Sequence, residues 1–267
     1  MPIEVQGELR RLSEFEFLRL AYAVTGAAFV LHKEYGSMFR EKLYKIELAA
    51  ECQKLGLTPV AIELPIRIWW NDFSKDYFVD LIVGGGALFE LKVLAALAEE
   101  HRAQTLNYLF LTGLPRAKLF NLGTPRLEHQ FVSTTVTPAE RRRLNVQAER
   151  WRATGTASVR FHEMLLDLLE DWGAFLQIAV YYDALIHFFG GPEQVIQEIS
   201  VFRDGRQVAT QRVRLIDPSN AFKLTALNNG LDTVEEHLRR FLRHTALDAI
   251  HWVNLYQHNV TFNTLTR

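Results

Sequence analysis

Phe78-Val-Asp-Leu-Ile-Val-Gly-Gly-Gly-Ala-Leu-Phe-Glu-Leu-Lys-Val-Leu94 is two apolar runs joined by three glycines, the pattern of a strand, a tight turn and a second strand. Three ionisable residues interrupt the runs: Asp80 in the first, Glu90 and Lys92 in the second. Side chains alternate across a strand, so Glu90 and Lys92 share one face while Phe89, Leu91 and Val93 line the other. A hairpin brings Asp80 towards the same charged face. Two carboxylates and an ammonium on an otherwise buried sheet are costly unless something uses them. The pattern is that of a divalent-metal site with a lysine beside it.

The rest of the chain sets limits on that reading. With 267 residues, 48% hydrophobic and 23% charged, it has the composition of a soluble globular protein of one large or two ordinary domains. A formal net charge of −1 supplies no bulk basic field, so any nucleic-acid binding must come from local patches. Cys52 is the only cysteine, which excludes a disulfide framework and a cysteine-based zinc site. The N-terminus lacks the basic and apolar regions of a signal peptide. The longest apolar stretch, Gly173 to Gly191, carries Gln177, Asp183 and His187 and reads as a buried core helix rather than a membrane span. A cytoplasmic protein with no membrane partner is expected.

Outward from the hairpin, residues Leu12 to Leu55 read as two helices. Ser13 and Glu16 form a capping box ahead of the first, Tyr35-Gly36-Ser37 breaks the pattern, and Met38 to Leu55 forms the second, ended by Gly56. Glu41, Tyr44 and Leu48 share one face of it. Strands are expected at Val60–Ile68, Phe78–Val83, Leu88–Val93, Ala117–Leu122 and Leu127–Val132. A helix from Glu99 to Leu111 carries His101, Gln104 and Tyr108 on one side. This order gives an α/β domain with a mixed sheet over residues 1–135. Thr137-Pro-Ala-Glu140 starts a further helix, read as a linker over 136–160 whose arginines Arg141, Arg142, Arg143, Arg150 and Arg152 form a solvated surface ahead of a phosphate-contacting element.

The half from 161 to 267 repeats the first weakly. Asn220-Ala-Phe-Lys-Leu-Thr-Ala-Leu227 aligns with Ala87-Leu-Phe-Glu-Leu-Lys-Val-Leu94. The frame continues through Leu109 and Leu242, Thr112 and Thr245, Leu114 and Leu247, and Asn121-Leu122 and Asn254-Leu255. In this alignment Glu90 becomes Lys223, Lys92 becomes Thr225, Gln104 becomes His237 and, with a turn one residue shorter, Asp80 becomes Arg214. The second copy keeps the apolar frame and loses every candidate ligand, as a degenerate scaffold or binding surface would.

Asp80 with Glu90-x-Lys92 on adjacent strands, preceded by a helical glutamate, resembles the PD-(D/E)xK nuclease superfamily. Leu31-His-Lys-Glu-Tyr-Gly36, Glu41-x-x-Tyr44, Pro65, Val79-Asp-Leu-Ile-Val83, Phe89-Glu-Leu-Lys-Val93, Ala103-Gln-x-Leu-Asn-Tyr-Leu109 and Phe120-Asn-Leu-Gly123 narrow the resemblance to the GxxExxY family, over Leu12 to Val132. The chain departs from that motif at its first glycine, which is Met38 here. The resemblance implies a restriction-endonuclease-like mixed sheet flanked by helices, followed by the degenerate second copy of the same architecture. It implies metal-dependent phosphodiester hydrolysis with Mg²⁺, Mn²⁺ as substitute, and nucleic acid as partner, DNA ahead of RNA.

Carried over residue by residue, Asp80, Glu90 and the main-chain carbonyl of Leu91 would hold the metal. Glu41 would be a direct or water-mediated ligand, Lys92 would assist the attacking water, and Gln104 would orient the nucleophile, with Tyr108 packed against it. Such a set suits Mg²⁺, which needs only one or two carboxylates besides water and phosphate. The competing reading is a non-catalytic module that keeps the fold to bind nucleic acid, or a protein through the C-terminal half. His101 reads as a helix-surface or capping residue, and His251 and His258 show no metal-ligand spacing.

Overall fold

The computed structural model describes residues 2–267. The capping box forms as the sequence predicts. Ser13 and Glu16 hydrogen-bond reciprocally and open α1 (Glu14–Tyr35), which ends on Gly36 at φ 72°. Phe17, Leu20, Ala21, Val24, Ala28 and Leu31 recur at three- and four-residue spacing and bury one face of α1 in the core of the first half. α1 is also the one described helix long and apolar enough to cross a membrane, but that inward face packs as a core helix does. α2 (Glu41–Lys54) starts three residues later than the motif predicts, with Arg40 as an N-cap whose side chain makes no cap hydrogen bond. The Tyr44 hydroxyl donates to the Gly36 carbonyl at 2.6 Å and ties α2 to the end of α1.

β1 (Ile3–Val5), β2 (Val60–Trp70), β3 (Phe73–Val83), β4 (Ala87–Lys92), β5 (Arg116–Asn121) and β6 (Glu128–Ser133) form one sheet in that order. The β4–β5 pair is parallel, and β1–β2, β3–β4 and β5–β6 are antiparallel. α3 (Glu99–Thr112) makes the crossover that a parallel pair requires. The β3–β4 turn is set by Gly84 and Gly85 at positive φ, and by Gly86, where a Cβ would lie 1.9 Å from the Arg10 carbonyl oxygen. Leu81, Val83, Ala87, Phe89 and Leu91 pack on α1 and α2, so alternation turns Asp80, Glu90 and Lys92 to the opposite face.

The second sheet has the order β7-β12-β11-β10-β9-β8. Its strands are β7 (Asn145–Arg150), β8 (Ile196–Arg203), β9 (Arg206–Asp217), β10 (Asn220–Thr225), β11 (Ala249–Tyr256) and β12 (Asn259–Thr266). Ahead of β8 run α4 (Pro138–Arg141), α5 (Thr156–Trp172), α6 (Ile178–Phe188) and α7 (Pro192–Val195); α8 (Leu231–Arg243) crosses between the parallel strands β10 and β11. The strand order of β2 to β6 recurs in β8 to β12, and the antiparallel, parallel, antiparallel senses of β3 to β6 recur in β9 to β12. The edges differ: β1 adds antiparallel to β2, whereas β7 adds parallel to β12. The fold is mixed α/β with two six-stranded mixed sheets flanked by helices, consistent with a restriction-endonuclease-like fold duplicated in the two halves.

The two halves also share polar details that apolar patterning does not demand. Asn121 Oδ1 accepts from the Leu94 N–H, and Asn254 Oδ1 from the Leu227 N–H. Thr112 bonds back to the Tyr108 carbonyl, and Thr245 to that of Leu242. Tyr181 donates to the carbonyl of Gly173, the glycine that ends α5, as Tyr44 does to Gly36.

Several expectations need correction. The chain divides into Met1–Trp69 with Ser74–Pro138, and Trp70–Phe73 with Ala139–Arg267. The helical linker expected over 136–160 is one helical turn followed by β7, because the segment finds an open ladder beside β12. Arg141, expected on a solvated surface, is only 3% exposed, and burial lowers its pKa to about 10. The expected helix from Gly173 to Gly191 is helical only over Ile178–Phe188, since Gly173 sits at φ 78° against the Arg141 backbone.

Candidate functional site

β3 and β4 pair through Val83–Ala87, Ile82–Leu88 and Leu81–Phe89. The next rung carries Asp80 and Glu90, 6% and 1% exposed, on the same face. Asp80 Oδ2 accepts a hydrogen bond from the Leu91 N–H at 2.9 Å, which fixes the carboxylate beside β4. Lys92 Nζ donates to Glu90 Oε1 at 2.6 Å. Glu90 Oε2 is buried with no hydrogen-bond partner, and such a group carries a desolvation cost unless a ligand meets it.

The charges of these groups are coupled. Burial first, and the Asp80 charge second, push the Glu90 carboxyl up to about 8, against the opposing pull of Lys92. Glu41, in the first turn of α2, is also raised, by burial and then by Asp80. Burial opposes the charge of Lys92, but the Glu90 carboxylate outweighs it and the ammonium is stabilised. Burial therefore leads in raising both Glu90 and Glu41, and the neighbouring Asp80 charge adds to it.

Lys45 was not foreseen. It is 7% exposed, and its Nζ lies 2.7 Å from Asp80 Oδ1, 3.2 Å from Glu63 Oε1 and 4.0 Å from Glu41 Oε1. Burial works most strongly against its charge, but the hydrogen bonds and charges of Asp80 and Glu63 together outweigh it and hold its pKa above the usual value. The signal for it was in the sequence: Lys45 stands four residues after Glu41 on α2, in register for the same helix face.

Asp80, Glu90, Lys92 and Glu41 are therefore brought together. Leu91 is buried in the β4–β5 ladder opposite Phe120, its N–H held by Asp80. Gln104 donates its amide to the Tyr108 hydroxyl at 3.0 Å, a hydrogen bond where packing was expected. The Tyr108 hydroxyl is made less acidic by burial first and then by the Glu90 charge. His101 accepts from the Ala98 N–H at the start of α3. His251 is wholly buried and bonded to Thr154, and burial brings its pKa down to about 4; His258 bonds the Arg143 carbonyl.

Among the described residues no three His, Cys, Asp or Glu side chains gather closely enough to hold a metal by themselves. The donor set nonetheless fits a hard divalent ion. Asp80 and Glu90 supply oxygen ligands, and Glu90 Oε2 lies buried and unpartnered. Two carboxylates suffice for Mg²⁺ when water and substrate phosphate complete the octahedron. No curated protein and no solved structure matches this chain. Residues 19–133, which supply Glu41, Lys45, Asp80, Glu90, Lys92 and Gln104, match the family model of the PD-(D/E)XK nuclease superfamily.

Proposed function

We propose that the first half is a divalent-metal-dependent nuclease of the GxxExxY type, acting on DNA ahead of RNA. The observation that carries this reading is the Asp80–Glu90 rung, where a buried carboxylate oxygen lacks any partner. Asp80, Glu90 and the Leu91 carbonyl would hold Mg²⁺ or Mn²⁺, with Glu41 contributing directly or through a water. When bound, the ion polarises the scissile phosphate and acidifies a bound water. Lys92, held by Glu90, orients the attacking water and offsets charge that develops on the phosphate. Gln104, fixed by the Tyr108 hydroxyl, positions water or substrate. The second half, without these carboxylates, would be a degenerate partner domain, and the buried free thiol of Cys52 accords with a reducing, cytoplasmic setting.

One observation favours the alternative of a non-catalytic module. The Lys45 ammonium already satisfies Asp80 Oδ1, so the acidic cluster is partly neutralised from within. Purified full-length protein incubated with Mg²⁺ or Mn²⁺ and single- and double-stranded DNA and RNA decides between them. Cleavage that disappears in the Glu90→Ala, Lys92→Ala double variant supports the nuclease. Cleavage that survives it refutes the assignment of these residues, and no cleavage of any polymer supports the module.

A further inference from the structure

The outward face of α1 is apolar where a solvated helix is polar. Phe15, Leu18, Tyr22 and Phe29 recur at helical spacing, and Phe15, Tyr22 and Phe29 are 77%, 84% and 50% exposed. They form one stripe of the helix, opposite the buried stripe of Phe17, Val24, Ala28 and Leu31. Exposed Val30 borders the stripe. Gly26 stands within it, and nothing lies inside 4 Å of where its Cβ would be. At about 200 Å² per aromatic side chain, the three rings leave about 400 Å² exposed, and Leu18 and Val30 bring the patch to about 550 Å². A soluble monomer rarely shows a contiguous apolar patch of that size without using it.

The fold itself does not require this surface. α5 is the counterpart of α1 in the second half, since Gly173 and Tyr181 follow Gly36 and Tyr44 by 137 residues and make the same hydrogen bond. At that spacing Gly26 becomes Glu163, Val30 becomes Asp167 and Lys33 becomes Glu170. All three acids are exposed, so α5 turns a charged face outward where α1 turns an apolar one.

The stripe is symmetric about Tyr22. Phe15 and Phe29 lie seven residues to either side of it, and Leu18 and Gly26 four. Two α1 helices set antiparallel about a two-fold axis at the level of Tyr22 therefore bring Phe15 of one protomer level with Phe29 of the other. Leu18 comes level with Gly26, bulk against space, and the helix dipoles oppose. A parallel setting would put Leu18 level with Leu18 and Gly26 with Gly26. Glycine inside a helix is unfavourable; here it permits the close approach of another backbone.

We infer that the outward face of α1 is the interface of a homodimer, covered by a second copy of this chain. The apolar patch, with exposed Arg19 and Lys33 on its rim, approaches the roughly 800 Å² per partner of a stable interface. A two-fold interface uses the same patch on both copies and closes there. α1 packs on the Leu81 and Phe89 face of the sheet, and Asp80 and Glu90 are on the other, so the dimer leaves both acidic sites uncovered. Neither the metal site nor the nuclease reading is needed for this dimer.

The test is sedimentation velocity of the full chain over a concentration series, with wild type, Tyr22→Glu and Gly26→Leu, their folding checked by circular dichroism and melting. Wild type should dimerise with a Kd in the micromolar range or tighter. Tyr22→Glu brings two carboxylates together at the axis and should weaken the dimer about tenfold or more. Gly26→Leu separates this interface from a merely sticky surface. It enlarges the apolar patch, which would strengthen unspecific association, but blocks close approach and should weaken the dimer by a similar factor. Stronger association of Gly26→Leu, or a dimer unchanged in both folded variants, overturns the inference. So does a monomeric wild type, including one that pellets with phosphatidylcholine vesicles, which would give the stripe to a membrane surface.

Discussion

Lys45→Met removes a buried ammonium from the carboxylate cluster while keeping an aliphatic side chain in its place. In the metal-free protein Lys45 compensates Asp80 at 2.7 Å and stands within 4.0 Å of Glu41 and Glu63. Breaking one partner of a buried pair costs roughly 3–5 kcal/mol, so the variant should be less stable in EDTA. A divalent ion at Asp80 meets the opposite situation. At an effective dielectric constant of 20 an ammonium and a divalent ion 4 Å apart repel by about 8 kcal/mol, and in the wild type this term opposes the incoming ion. Relaxation of Lys45 towards Glu63 and solvent recovers much of it. A remaining effect of about 1.4–3 kcal/mol corresponds to a ten- to roughly hundredfold gain in metal affinity. Isothermal titration with Mn²⁺ and melting with and without the ion read both effects. The variant should melt lower in EDTA, recover with Mn²⁺ and bind Mn²⁺ at least tenfold more tightly. Weaker or unchanged Mn²⁺ affinity in a folded Lys45→Met protein would show that Lys45 does not contest the metal position.

Glu90 carries a pH prediction with a definite sign. Its pKa is raised from 4.5 to about 8 on folding, so the folded state binds more protons than the unfolded between those values, and its contribution to stability falls as pH rises through that window. Glu90→Gln should therefore gain on wild type by a few kcal/mol in EDTA between pH 5 and pH 8, read by urea unfolding; a constant difference across that range refutes the burial argument. The Tyr182 hydroxyl accepts from the Leu224 N–H at 2.6 Å and donates to the Leu224 carbonyl at 3.1 Å, so Tyr182→Phe strands both groups and should destabilise the second half by about 1–3 kcal/mol. Any DNA cleavage by the first half should remain at its wild-type rate, and a cleavage defect in the folded variant counts against the division of roles. Gly86→Ala places a Cβ against the Arg10 carbonyl oxygen and should cost more than 3 kcal/mol or prevent folding; a variant with wild-type melting contradicts the β3–β4 turn geometry.

The sequence made most of the fold legible because its signals were local. The Ser13–Glu16 capping box, the alternation around Leu81 and Phe89, and the three glycines at 84–86 each fix backbone geometry within a few residues. The segment from Pro138 to Arg150 misled, since its capping signal holds for one turn and the chain then becomes a strand because β12 offers a ladder partner. Local propensity cannot report that partner. At the site, strand alternation placed Asp80, Glu90 and Lys92 on one face. The part played by Lys45 depends on the approach of α2 to β3, a tertiary fact that helix spacing from Glu41 only hints at. The bulge at Asn220–Ala221, which leaves Ala221 opposite Leu215 and so puts Val213 rather than Arg214 in the Asp80 position, is equally invisible to an ungapped comparison.

We propose that the first half would hold one divalent ion at Asp80 and Glu90, and that the second half, where the Tyr182 hydroxyl engages the Leu224 N–H and carbonyl, would hold none. Electron paramagnetic resonance of Mn²⁺ titrated into the full chain counts those sites directly. One Mn²⁺ per chain, lost in Glu90→Ala and retained in Tyr182→Phe, is the expected result. Two ions per chain, none, or one that persists in Glu90→Ala would contradict it.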